Sequence, residues 1–238
     1  MKVDYLCKSW QFFLQQIVYL VSKGYIYYYV GEIPLSKVSK AKNIDKKIIQ
    51  QYNINLSKYQ RNRRKKKKFA NFYYLRWKNQ FIILHTEGRL EIPNVDTFYN
   101  IKTNKDSSNR LRIAVGPKLT VNVVMRGDSP TVVVDKATYK DFKEDLDELV
   151  KHRRIKLIHK YFKKLNGLPA WSGIVKQKFL LQKEVYNLAK KYGVNTKKRN
   201  IIKYPYEYGG LKKYPMWINT FRKPVNREFK NRGIDEWL

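Results

Sequence analysis

The stretch Phe72–His85 reads FYYLRWKNQFIILH and predicts the centre of the fold. It contains two runs rich in strand-forming residues, Phe72–Trp77 and Phe81–His85, separated by the polar tripeptide Lys78-Asn79-Gln80. Two such runs joined by a short polar connection are typical of a β-hairpin. We therefore expect two adjacent antiparallel strands here.

Further strands are expected on both sides of this hairpin. Tyr25–Ile33 (YIYYYVGEI) is rich in β-forming residues and ends at Pro34, which cannot donate to a sheet. Glycine and proline divide the later apolar runs into short segments, as turns do. These runs are Leu111–Val115, Leu119–Met125 and Thr131–Val134.

Helical spacing of apolar residues appears before and after the strands. The first face consists of Leu6, Trp10, Phe13, Ile17 and Leu20, and the helix is expected to end at Gly24. The other predicted helices cover residues 44–52, a segment capped by Ser57 that runs to about Phe69, a long segment from Thr138 to Gly167 with a break near Lys151, and a segment from Ser172 to Gly193.

These elements predict an α+β fold, with a mostly antiparallel sheet of about five strands and helices packed on it. Residues 1–168 are expected to form the core domain and residues 169–193 a separate helix. Residues 194–238 contain three prolines and little periodicity, which predicts an extended basic, aromatic C-terminal tail.

The charge of the chain indicates a polyanionic partner. Its 238 residues include 51 Lys and Arg against 19 Asp and Glu, a net charge of +32. Residues 1–85 carry +15, residues 86–148 carry −1 and residues 149–238 carry +18. An aromatic content of 15% argues against a disordered basic tail. Concentrated positive charge on a folded chain predicts nucleic acid, DNA or RNA, as the partner.

Several segments are candidates for contact with that partner. Residues 61–68 hold seven basic side chains in eight positions. Tyr25, Tyr27 and Tyr29 alternate onto one face of a strand. These tyrosines either stack unpaired bases or are covered by the chain itself. The predicted nucleic-acid-binding residues are Arg61, Arg63, Arg64, Lys65, Lys67, Lys68, Tyr25, Tyr27, Tyr29, Arg76, Arg153, Arg154, Lys212 and Lys213.

Compact catalytic motifs are missing from the sequence. It has no phosphate-binding G-x-x-x-x-G-K-[ST] loop, no H-x-H pair and no cysteine pattern for zinc. A weak candidate for a metal site consists of Glu87, Glu91 and Asp96, close to His85. Mg²⁺ is expected as a cofactor only if these side chains serve a nuclease; otherwise no cofactor is expected.

Residues 23–88 contain a series of short motifs. It contains Gly24-Tyr25, Gly31-x-Ile33-Pro34, Arg61-x-Arg63-Arg64-Lys65, Tyr74-Leu75-Arg76 and Thr86-x-Gly88. This pattern resembles an uncharacterised family of small basic bacterial proteins from mobile-element or plasmid-like settings. The resemblance implies a nucleic-acid protein of a mobile element and brings no catalytic residues.

Three functions remain open from the sequence. The first is a nucleic-acid-binding protein that contacts mainly the phosphate backbone, in the replication or mobility of a small genetic element. The alternatives are a structural RNA-binding component of a ribonucleoprotein, similar to a ribosomal protein, and a metal-dependent nuclease. A single cysteine, Cys7, indicates a reducing compartment, either the cytoplasm or the interior of an organelle. The sequence predicts no membrane span and no secretion.

Overall fold

A computed structural model describes residues 5–91, 96–103 and 109–194. Within these ranges the chain divides into two compact units. The first comprises residues 5–111 and 123–130, and the second comprises residues 112–122 and 131–194. The sequence predicted a single core over residues 1–168 followed by a separate helix, whereas that helix belongs to the second unit.

The first unit contains an antiparallel four-stranded sheet with the strand order β2-β3-β1-β4. Its elements are helix α1 (Trp10–Ser22), strand β1 (Tyr27–Glu32), a 3-10 helix (Leu35–Lys40), helices α2 (Ala41–Gln51) and α3 (Lys58–Lys66), and strands β2 (Phe72–Trp77), β3 (Gln80–His85) and β4 (Tyr99–Asn100). Strands β2 and β3 form the predicted hairpin, whose turn places Lys78 in the left-handed region at φ 52°.

Helix α1 packs against β2. The Ser9 side chain accepts a hydrogen bond from the Phe12 amide and begins the helix. The predicted apolar face is buried, including Phe13 and Ile17. Leu6 was expected on this face, but it precedes the helix and forms an isolated β-bridge with Arg76.

The remaining strands form a second sheet with the order β5-β6-β7. They are β5 (Leu111–Gly116), β6 (Leu119–Arg126) and β7 (Ser129–Val134). Two-residue connections join them, and the second connection contains Gly127 at φ 58°, a conformation that glycine adopts without strain. The α+β class is confirmed, but the strands belong to antiparallel sheets of four and three strands and not to one sheet.

Three helices follow in the second unit. They are α4 (Lys136–Lys151), α5 (Ile155–Asn166) and α6 (Ser172–Lys191). The predicted break near Lys151 is confirmed, since Arg153 adopts φ 53° between α4 and α5. The expected start of α4 at Thr138 is wrong because Asp135 is the cap, and its carboxylate accepts a hydrogen bond from the Ala137 amide.

Helix α6 begins where the sequence predicted, but a strand residue stabilises its start. The Gly173 amide donates to Oγ1 of Thr131 at 3.1 Å. A Cβ at position 173 would lie 2.2 Å from the carbonyl oxygen of Val132, so glycine is required for this close approach. No helix among the described residues is long and apolar enough to cross a membrane.

Candidate nucleic-acid interface

Helix α3 carries most of the predicted basic run. A capping box begins it: Ser57 Oγ accepts from the Gln60 amide at 3.2 Å, and Gln60 Oε1 accepts from the Ser57 amide at 2.7 Å. Four basic residues lie in the last turn, next to the partial negative charge of the helix C-terminus. Both ends therefore favour a helix at this highly charged sequence.

Arg64 turns inward and fixes the end of α3 to the chain that follows. Its Nε and Nη2 donate to the carbonyl oxygen of Ala70 at 3.3 and 3.0 Å. Its Nη1 forms an ion pair with Glu91 at 2.5 Å, and its guanidinium lies 5.5 Å from the centroid of the Phe69 ring. Because its guanidinium bonds to groups within the protein, Arg64 stabilises the fold.

Arg61 also turns inward. Its Nη2 donates to the carbonyl oxygen of Ile54 at 3.2 Å, and its guanidinium lies 4.9 Å from the centroid of the Tyr73 ring. Arg61 and Arg64 are among the predicted nucleic-acid-binding residues, but both are half-buried and bonded within the fold. Helix α3 ends at Lys66, so Lys68 lies beyond the helix.

A short backbone pairing supports the turn after α3. The Arg89 amide donates to the Lys68 carbonyl oxygen at 2.8 Å, and the Ala70 amide donates to the Arg89 carbonyl oxygen at 3.0 Å. Gly88 allows this approach: its φ is +139°, and a Cβ there would lie 2.7 Å from backbone atoms of Phe69 and Ala70.

Five cationic side chains of this region remain exposed, and we call them the α3 basic cluster. They are Arg63, Lys65, Lys66, Lys67 and Lys68. None of the ion pairs formed among the described residues includes a member of the cluster. Since Glu91 is already paired with Arg64, the cluster is a surface of uncompensated positive charge.

A shallow groove runs beside this cluster. Its volume is about 280 Å³. Phe69 lies in it, with the guanidinium groups of Arg64 and Arg89 5.5 and 5.4 Å from the ring centroid. The lining residues are Leu56, Gln60, Arg63, Arg64, Lys67, Phe69 and Glu91.

Arg76 is not part of this surface, which corrects its predicted role. It is 8% exposed, and its guanidinium donates to Asp45 through Nε at 2.8 Å and Nη2 at 2.9 Å. Its Nη1 donates to the Lys78 carbonyl oxygen, and the Tyr74 hydroxyl donates to Asp45 at 2.6 Å. Burial, together with the Asp45 carboxylate, raises the pKa of Tyr74. Arg76 is therefore an internal residue.

The tyrosine face of β1 packs against the chain itself. The Tyr27 ring stacks on His85 with centroids 4.6 Å apart, and Tyr25 meets Tyr73 edge-on at 6.0 Å. Tyr29 packs against Phe81. All three tyrosines are half-buried, so the alternative in which the chain covers this face agrees with the structure.

The opposite face of β1 holds Tyr28, which is buried. Its hydroxyl donates to the carbonyl oxygen of Asn109. Ile26 and Val30, at alternate positions on either side of Tyr28, are half-buried.

The acidic residues do not converge on a metal site. Glu91 pairs with Arg64, Asp96 accepts a hydrogen bond from the Tyr52 hydroxyl, and Glu87 is exposed. His85 is buried next to these positions, and burial lowers its pKa. Among the described residues, no group of three or more His, Cys, Asp or Glu side chains is placed to hold a metal ion.

The other predicted contacts lie elsewhere in the chain. Arg153 and Arg154 are exposed between α4 and α5, in the second unit. Lys212 and Lys213, with the predicted tail after residue 194, lie outside the described residues.

Sequence reasoning missed two features of the first unit. Asp45 is fully buried, and its spacing from Ala41, Ile48, Ile49 and Tyr52 already placed it on the apolar face of α2. Tyr59 on α3 is 81% exposed, and it is the one aromatic residue within that basic helix.

No family model, curated protein or solved structure matches the chain. The chemistry of the site is therefore the basis for assigning a function.

Proposed function

We propose that the chain binds nucleic acid, and that the α3 basic cluster contacts the phosphate backbone. One observation carries the proposal: five exposed cations lie within the six positions 63–68, and none forms an ion pair among the described residues. Lysine and arginine are the side chains that proteins use to neutralise phosphates.

The cost of crowding like charges supports a polyanionic partner. The cluster occupies the last turn of α3 and the residues directly after it, so its members repel one another at short range. A row of phosphates along a nucleic-acid strand relieves this repulsion and releases bound counterions. Such contacts carry no direct sequence information, which favours binding that tolerates many sequences.

The inward arginines supply the rigidity that this surface needs. Arg64 connects the end of α3 to Ala70 and Glu91, and Arg61 connects its middle to Ile54. The exposed cations thus project from a helix fixed at two points and from the turn that directly follows it, which lowers the entropy lost on binding.

Salt dependence tests the proposal. We expect the affinity for a mixed-sequence DNA oligonucleotide to fall steeply with salt in the parent protein. Replacing all five residues of the cluster with Gln should lower the slope of log K against log[salt] by about 4, because each phosphate contact contributes about 0.7–0.9. Fluorescence anisotropy at several NaCl concentrations measures this slope.

A second variant controls for total charge. It replaces five other exposed lysines of the first unit with Gln: Lys37, Lys40, Lys42, Lys46 and Lys47. If the cluster is the contact surface, this control should change the slope by less than about 1. Equal slopes for the two variants would refute a specific role for the cluster, and an absence of binding by the parent protein would refute the proposed function. Sequencing the nucleic acid that co-purifies with the protein separates DNA from RNA.

A further inference from the structure

Tyr59 lies on the same helix as the α3 basic cluster, and its side chain is 81% exposed. It is second in α3, directly after Lys58. At this exposure the ring is accessible to a partner that binds the cluster on the same helix.

The turn of the helix places Tyr59 at the outer side of α3. At about 100° per residue, Lys66 lies about 20° and Arg63 about 40° from Tyr59 around the helix axis. Arg61 and Arg64, which face the interior, lie on the opposite half of the helix. The ring therefore lies on the same outer face as the exposed cations Arg63 and Lys66, which follow it about one and two turns along the helix.

Two other exposed tyrosines show that the open ring of Tyr59 is unusual within the part of the chain that the structure describes. Tyr19 is covered by Lys23, with Nζ 5.5 Å from the ring centroid, and Tyr186 is covered by Lys190 at 4.9 Å. Both pairs have i,i+4 spacing, the spacing of Tyr59 and Arg63. Among the described residues, no cation and no aromatic ring makes such a contact with Tyr59, so both faces of its ring are accessible.

We infer that Tyr59 stacks on an unpaired base, and that α3 recognises single-stranded nucleic acid in preference to duplex. The inference rests on the proposed function, because the neighbouring cations hold the strand by its phosphates. An accessible aromatic ring beside a basic surface is the combination that binds single strands without sequence preference. Paired bases in a duplex are stacked on one another and do not offer their faces to the ring.

The test compares oligothymidine with the duplex that it forms with oligodeoxyadenosine. Tyr59→Ala should weaken the binding of oligothymidine by about 5- to 150-fold, which is the usual contribution of one stacked base. It should change duplex binding by less than about twofold, since the phosphate contacts remain. Tyr59→Trp should retain single-strand binding, while Tyr59→Leu, apolar but without an aromatic face, should lose it.

Tyr186→Ala is the matched control, because it removes an exposed tyrosine with a lysine at i+4 from another helix. It should leave both affinities unchanged. If Tyr59→Ala weakens single-strand and duplex binding equally, or neither, Tyr59 is not a stacking residue although the cluster still binds phosphates. If the parent protein binds neither probe, the proposed function itself fails. Thermal unfolding of each variant shows whether the fold is retained, as the exposure of Tyr59 leads us to expect.

Discussion

At the scale of single residues, the ion pair of Arg76 and Asp45 is the main polar feature inside the first unit. Asp45 is fully buried and accepts two hydrogen bonds from Arg76 and one from Tyr74. A buried carboxylate is tolerated when its partners replace the water that it has lost. Removing either member leaves a charge without compensation, which costs more than the pair contributes.

Arg76→Met should therefore lower the free energy of unfolding by about 3–5 kcal/mol. Arg112→Met is the matched control: Arg112 pairs with Asp135 at 3.4 Å, but its side chain is 56% exposed. An exposed pair of this kind contributes about 0–1 kcal/mol. Urea unfolding of the two variants measures the difference, and equal losses would contradict a buried role for Arg76.

The sequence could not reveal which basic residues face inward. Nothing in the sequence distinguishes Arg61, Arg64 and Arg76 from basic residues that are exposed. Their inward orientation depends on hydrogen bonds to the carbonyl oxygens of Ile54 and Ala70 and to the Asp45 carboxylate. Those acceptors are brought into place by the tertiary fold. That part of segment 61–68 stays exposed was predictable, because seven basic residues in eight positions cannot all be buried.

At the scale of elements, the position of the α3 basic cluster depends on the turn that follows the helix. Gly88 lies against the backbone of Lys68, Phe69 and Ala70, and this contact holds the paired segments together. The turn thus links strand β3, which ends at His85, to the cluster.

Gly88→Ala should destabilise the protein and weaken its binding to nucleic acid. An alanine at φ +139° is strained by about 1–3 kcal/mol, and its Cβ would also overlap the backbone of Phe69 and Ala70. Gly24→Ala is the control, because Gly24 has φ +92° but open space around it. Thermal unfolding should show a larger loss for Gly88→Ala than for Gly24→Ala, and losses of the same size would show that the close approach does not constrain the turn.

Local patterns predicted most elements, because helix and strand periodicity depends on near neighbours. The Phe72–His85 hairpin, the Ser57 cap and the break at Arg153 all follow from adjacent residues. The pairing of β1 with β3 was not predictable in this way, since it joins Tyr27 to His85 across a segment that contains a 3-10 helix, two α-helices and strand β2. The division of the strands into two sheets depends on long-range pairing of this kind.

At the scale of the whole molecule, the net charge of +32 opposes folding through repulsion. Surface charges interact over a distance of about 30 Å at 0.01 M salt and about 10 Å at 0.1 M. A chain with this charge should therefore be less stable at low ionic strength than at physiological ionic strength. A polyanion that binds the folded state should stabilise it beyond the effect of screening.

We expect the thermal midpoint to rise when NaCl is increased from about 0.01 M to about 0.1 M, since screening weakens the repulsion. At constant ionic strength, inorganic polyphosphate should raise the midpoint further, because binding at about 100 times Kd adds about 2.7 kcal/mol to stability. The variant with Gln at the five positions of the α3 basic cluster should keep much of the response to NaCl, as most of its charge lies elsewhere, but lose much of the response to polyphosphate. Differential scanning calorimetry of both proteins measures the two responses. If polyphosphate stabilises the parent protein and the variant equally, the polyanion binds to basic surfaces outside α3, and the total charge of the molecule, not the arrangement of this cluster, determines its partner.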